Sequence, residues 1–258
     1  LVLILVATSL WAQSSLNPIV EYGRGVMLYK PWLDSFVHAQ KIAAIASSQG
    51  LWTMPGLILS GEPASFYHYA SYLLPAELVA LTPTTAYQSF CGFLVPLGFL
   101  LSGLAVFVLI KSWAGAWGGF SACVLLFLAP DSSQMVTHNH FFSYYWLQQI
   151  APAGLYGIAL MALAWLVMFE ACKRGSFFWI SISYAIFLAV ANYKTQIFFA
   201  NVFPMGVYPA IFFGKFSKST RCVLLFFFLC LLLCLMKISE WLPAVPLTKL
   251  DGSAFYHY

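Results

Sequence analysis

Charge is what this sequence has least of. Only 8% of its 258 residues are Asp, Glu, Lys or Arg, and 62% are hydrophobic, whereas soluble domains carry roughly 25% charge. That composition excludes an ordinary soluble core and belongs to a bilayer. The 12 bases are spread over separate loops and the net charge is +4, which argues against nucleic acid as a partner, since that needs clustered Lys and Arg. Cysteine is scarce in pattern as well as number. Cys91, Cys123, Cys172, Cys222, Cys230 and Cys234 lie in or beside apolar runs, with no CxxC pair and no His at ligand spacing, which disfavours a disulfide framework or a zinc site. Residues 1–10 begin without Met and without a basic leader segment, so they read as the remainder of a first span rather than a signal peptide.

What is present is a series of long uncharged stretches. Crossing the hydrocarbon needs about 20 mostly apolar residues, and the stretches between charges give seven candidates, roughly 1–12, 84–110, 112–130, 150–169, 175–193, 195–214 and 222–239. The expected fold is all-α: a polytopic transmembrane bundle forming a single domain over 1–258, incomplete at both ends. Residues 69–81 are apolar but short and contain Pro75, so they read as a helix that dips in or precedes the second span. Lys111, the pair Lys173 and Arg174, and the cluster Lys215, Lys218 and Arg221 fall in the short turns between spans, which places those turns in the cytoplasm. The long first loop, 13–69, is then exoplasmic. So are all five histidines, His38, His68, His138, His140 and His257, and most of the carboxylates, with Glu77 near the boundary and Glu170 at the inner face.

Three places combine residue types that can do chemistry. The stretch 32–48 reads as an interfacial helix with Leu33, Phe36, Val37 and Ala44 turned to the membrane, while Asp34, His38 and Lys41, at i, i+4 and i+7, face a water-filled cavity. A carboxylate beside an imidazole suits acid/base work or cation binding; the competing reading is a solvated helix face. Glu62, between Gly61 and Pro63, precedes the cluster Phe66, Tyr67, His68 and Tyr69, which suits a sugar or lipid-phosphate pocket or a headgroup-level anchor. The loop 131–149 holds Gln134, His138 and His140 among many other donors. Two histidines at i, i+2 are poor helical metal ligands, so the loop suits a polyhydroxyl or phosphate group, or is an ordinary polar loop. Lys194, between Tyr193 and Thr195, offers a point charge to a lipid-linked phosphate or snorkels to the headgroups.

The layout of a first span, a long loop with Asp34 opening an interfacial helix (Trp32-Leu33-Asp34-Ser35-Phe36-Val37-His38) and a Tyr/His-rich approach to the next helices (Phe66-Tyr67-His68-Tyr69-Ala70-Ser71-Tyr72) resembles the GT-C class of integral membrane glycosyltransferases. The resemblance covers residues 1–240 in layout, but its specific motifs fill under a fifth of them. It implies transfer of a sugar from a polyprenyl-phosphate-linked donor to a lipid or glycan acceptor at the exoplasmic face of the plasma (inner) membrane, with Asp34 as catalytic base. From their own local settings, His38, Glu62, Tyr67, His68, Gln134, His138, His140 and Lys194 are added as expected substrate-binding groups. Members of that class often show two neighbouring acids in this loop; here Glu62 or Asp131 would have to serve as the second, which leaves a divalent cation as an open cofactor. A transporter or lipid flippase is the alternative function, and a non-catalytic membrane scaffold a third, but the ionisable residues gather at the rim rather than the midplane where transport sites sit.

Overall fold

The computed structural model describes residues 1–16, 20–22, 26–28, 33–48, 69–128 and 152–212, together with positions 222, 226, 228 and 229. Most of the expected last span, 222–239, and the loops 49–68 and 131–149 lie outside the described residues. The chain divides into two compact units, Leu1–Val202 and Phe203–Tyr258.

Runs of Leu, Ala, Phe and Val without charge satisfy their backbone polar groups internally as helices, and helices dominate. In chain order they are α1 (Val2–Leu16), α2 (Leu33–Ser47), α3 (Ala70–Leu81), α4 (Ala86–Ser89), a π-turn (Phe90–Leu94), α5 (Val95–Leu128), α6 (Ala153–Arg174), α7 (Phe177–Tyr193) and α8 (Thr195–Phe212). The fold is all-helical as expected, with one short hairpin beside the helices. Between α1 and α2, β1 (Val20–Tyr22) and β2 (Val26–Leu28) pair antiparallel, Glu21 opposite Met27. Val20, Tyr22 and Val26 are β-favouring residue types.

α4 opens on a capping box: the Thr85 hydroxyl accepts from the Gln88 N–H, and the Thr85 N–H donates to the Gln88 side chain. The helix it starts does not run straight to Leu128. At Gly115 the backbone has φ 72° and ψ −177°, a region that glycine alone enters cheaply, and there the chain reverses. Phe99 packs on Phe127 with ring centroids 6.0 Å apart, the Cys123 thiol donates to the Gly103 carbonyl at 3.4 Å, and a Cβ on Gly119 would lie 2.8 Å from the Phe107 carbonyl. These pairs are centred on residue 113, within two residues of Gly115, so α5 is two antiparallel limbs. The turn expected at Lys111 is therefore four residues later, because the reversal needs a positive φ rather than a charge.

α6 runs parallel to the outgoing limb of α5. The Tyr156 hydroxyl donates to the Leu94 carbonyl at 2.6 Å near one end, and Trp113 meets Phe169 edge-on at 4.5 Å near the other. α7 returns, with the Ser183 hydroxyl donating to the Ala164 carbonyl at 2.7 Å and Tyr193 stacked on Tyr156 at 6.0 Å. α8 then runs beside α6, with the Trp165 indole N–H donating to the Asn201 side-chain oxygen at 3.0 Å. Gly175, left-handed at φ 73°, ends α6 and lets α7 begin two residues later. Gly115 and Gly175, with Lys111, Lys173 and Arg174 nearby, thus mark one end of the bundle, and Leu94, Tyr156, Tyr193 and Lys194 the opposite end.

Among the described residues, two helical stretches are long and apolar enough to cross a membrane, the hairpin within Ala86–Phe127 and the helix Ala153–Arg174. Only 33% and 44% of their most apolar windows are buried inside the protein, whereas a core helix of a soluble protein is mostly covered. Large apolar side chains such as Leu101, Val108, Phe120, Leu125 and Leu163 point outward instead. Apolar residues facing outward on apolar helices are what a bilayer, not water, accommodates. In the second unit, Gly206 lies so close to the Phe228 ring that no Cβ fits between them.

Candidate functional site

α2 places Asp34 in its first turn, where a carboxylate complements the helix dipole, and presents its neighbours to the end of the bundle that holds the π-turn. The burial pattern departs from the amphipathic expectation at His38. Ser35, His38, Ala39 and Ile42 are buried, Ile42 completely, while Phe36 and Val37 are 52% and 41% exposed. His38 therefore does not face a water-filled cavity. Its ring stacks against Phe90 at 5.2 Å and Tyr72 at 5.8 Å, and its Nδ1 shares a hydrogen bond of 2.7 Å with the Tyr72 hydroxyl. An imidazole fits this layer because its faces are apolar and its ring nitrogen has a partner. Phe36 and Val37 remain exposed, with the Phe36 ring 6.2 Å from that of Tyr87.

Lys41, one turn further on, lies 5.6 Å above the Tyr72 ring, within reach of a cation–π attraction. Burial lowers the Lys41 ammonium below its usual value and raises the Tyr72 phenol, so Tyr72 holds its proton. Asp34 is half-buried. Tyr69, three residues before Tyr72, caps the start of α3 on the side of Tyr193. The tyrosines thus lead from α2 towards the α7–α8 turn.

In that turn Lys194 ends α7, its N–H donating to the Val190 carbonyl. Its stem lies on Gly157 of α6, where a Cβ would be 2.8 Å from the lysine Cβ. Burial lowers this ammonium as well. Among the described residues, the ion pairs are those of Glu170 with Lys173 and Arg174, at 2.9 and 3.8 Å and at the far end of the bundle. Lys41 and Lys194 are thus two partly desolvated cations without a carboxylate partner among the described residues, a setting that favours an anionic ligand.

Of the expected site residues, Asp34, His38 and Lys194 are placed by the fold, all towards the same end of the bundle. Glu62, Tyr67, His68, Gln134, His138 and His140 lie outside the described residues. Among the described residues no three His, Cys, Asp or Glu side chains come together as a metal site. Phe90 and Tyr156 contribute contacts that no local pattern announces: each is an aromatic in an apolar run, and its role comes from a partner 52 or 62 positions away. Comparison of the chain with protein-family models, with curated proteins and with solved structures gives no match.

Proposed function

We propose that the protein is a membrane glycosyltransferase that moves a sugar from a polyprenyl-phosphate-linked donor to an acceptor hydroxyl on a lipid or glycan. In this reading α2 lies at the exoplasmic face, and the short basic turns at Gly115 and Gly175 are cytoplasmic. The observation that carries it is the grouping on one helix of a half-buried carboxylate, Asp34, and a partly buried ammonium, Lys41, held at the end of an apolar bundle.

Asp34 takes the proton of the acceptor hydroxyl as its oxygen attacks the anomeric carbon. The bond from that carbon to the phosphate oxygen breaks, and the lipid phosphate leaves with the electron pair. Lys41, and His68 and His138 from the adjoining loops, would stabilise the charge that develops on it. His38 touches no substrate in this scheme; stacked and hydrogen-bonded, it fixes the rotation of α2 and with it the position of Asp34.

The test is a membrane assay with labelled lipid-phosphate sugars, comparing wild type with Asp34→Asn. Removing a general base is expected to lower transfer by about 100-fold or more. Undiminished transfer by a well-folded Asp34→Asn protein would remove Asp34 from the mechanism.

A further inference from the structure

An apolar groove of about 510 Å³ runs along the bundle between α3, the outgoing limb of α5 and α6. Leu74, Leu101, Val108, Ala159 and Leu166 line it, and Tyr156 and Tyr193 stand at one end. We infer that it seats an anionic glycerophospholipid, one acyl chain along the groove and the phosphate at Lys194.

Three observations favour this occupant. From Tyr156 to Leu166 α6 rises about 15 Å, half the roughly 30 Å hydrocarbon thickness, so the groove has the depth of one leaflet and the length of one acyl chain. A polyprenyl carrier spanning many isoprene units would overrun it. The lining offers almost nothing polar, and the Tyr156 hydroxyl is already committed to the Leu94 carbonyl. A peptide there would leave its backbone groups unpaired. Lastly, Lys194 follows Tyr193 and its stem rests on Gly157, the residue after Tyr156, which puts a partly buried cation without an acidic partner among the described residues at the same end of the bundle as the two groove tyrosines. The inference does not rest on the sugar-transfer reading, in which Lys41 rather than Lys194 meets the donor.

The test is native mass spectrometry of the full chain, relipidated with equal amounts of phosphatidylglycerol and phosphatidylcholine of identical chains. One lysine near the headgroups should favour the anionic lipid about fivefold. Lys194→Gln should bring the ratio close to one while lipid is still retained, and Lys194→Arg should keep the preference. Leu101→Trp, at a position 39% exposed, should lay a ring across the groove without disturbing the core and lose both lipids. Equal retention by wild type, or an unchanged ratio in Lys194→Gln, would overturn the assignment. So would selective retention of an added prenyl phosphate over both phospholipids, an outcome that would instead give the groove to the sugar donor.

Discussion

Replacing Gly115 by Ala distinguishes a hairpin from a continuous helix by the sign of one number. In the structure Gly115 has φ 72° and ψ −177°, and a Cβ built on it has no neighbour within 4 Å. Sterics with the rest of the protein therefore contribute nothing, and the whole effect is backbone strain, about 1–3 kcal/mol of lost stability for a side chain held in that region. Were residues 95–128 one uninterrupted helix, the same change would stabilise it by about 0.8–1 kcal/mol, because Ala is the better helix former. The two readings thus differ by roughly 2–4 kcal/mol in total and in direction. Equilibrium unfolding in mixed micelles, followed by tryptophan fluorescence, resolves a difference of that size. A neutral or stabilised Gly115→Ala protein would refute the hairpin and with it the placement of the basic turns at one end.

Two further outcomes follow from the contacts around the site. Lys41 has its ammonium lowered by burial from the ordinary 10.5, so the unfolded chain binds more protons than the folded one between the folded value and 10.5. Stability should therefore rise with pH across that alkaline window, the penalty being fully present below the folded value; Lys41→Met should flatten the rise in a pH series of unfolding midpoints, and an unchanged slope would assign it elsewhere. Tyr156→Phe removes the 2.6 Å bond to the Leu94 carbonyl while keeping the ring on Tyr193, and should cost about 0.5–1.5 kcal/mol in the same unfolding measurement; no loss would mean that the hydroxyl is not holding α6 to the π-turn.

Where the chain breaks into helices was legible in the sequence, because charge and Gly/Pro punctuation mark it locally. Helices expected around 175–193 and 195–214 are observed as Phe177–Tyr193 and Thr195–Phe212, and the short apolar segment 69–81 is observed as Ala70–Leu81. That His38 is covered was not legible. Hydrophobic patterning turns Phe36 and Val37 to the membrane and His38 to a water-filled cavity; Phe36 and Val37 are indeed exposed, but the imidazole is buried, where it stacks on Phe90 and bonds to Tyr72. Both partners are distant in sequence. The reversal at Gly115 was misplaced for a related reason: Lys111 marks which side a turn lies on, whereas backbone conformation decides where it turns.

The stacking of His38 between Phe90 and Tyr72 has a mechanical consequence. A surface helix attached only by grease can roll, since one apolar patch is as good as another. α2 is keyed, because advancing it by a single residue, about 100° of rotation, would unstack the imidazole and break its bond to the phenol. Any force that tilts α3 is thereby handed on to the acid at the head of α2, one turn of helix from the key.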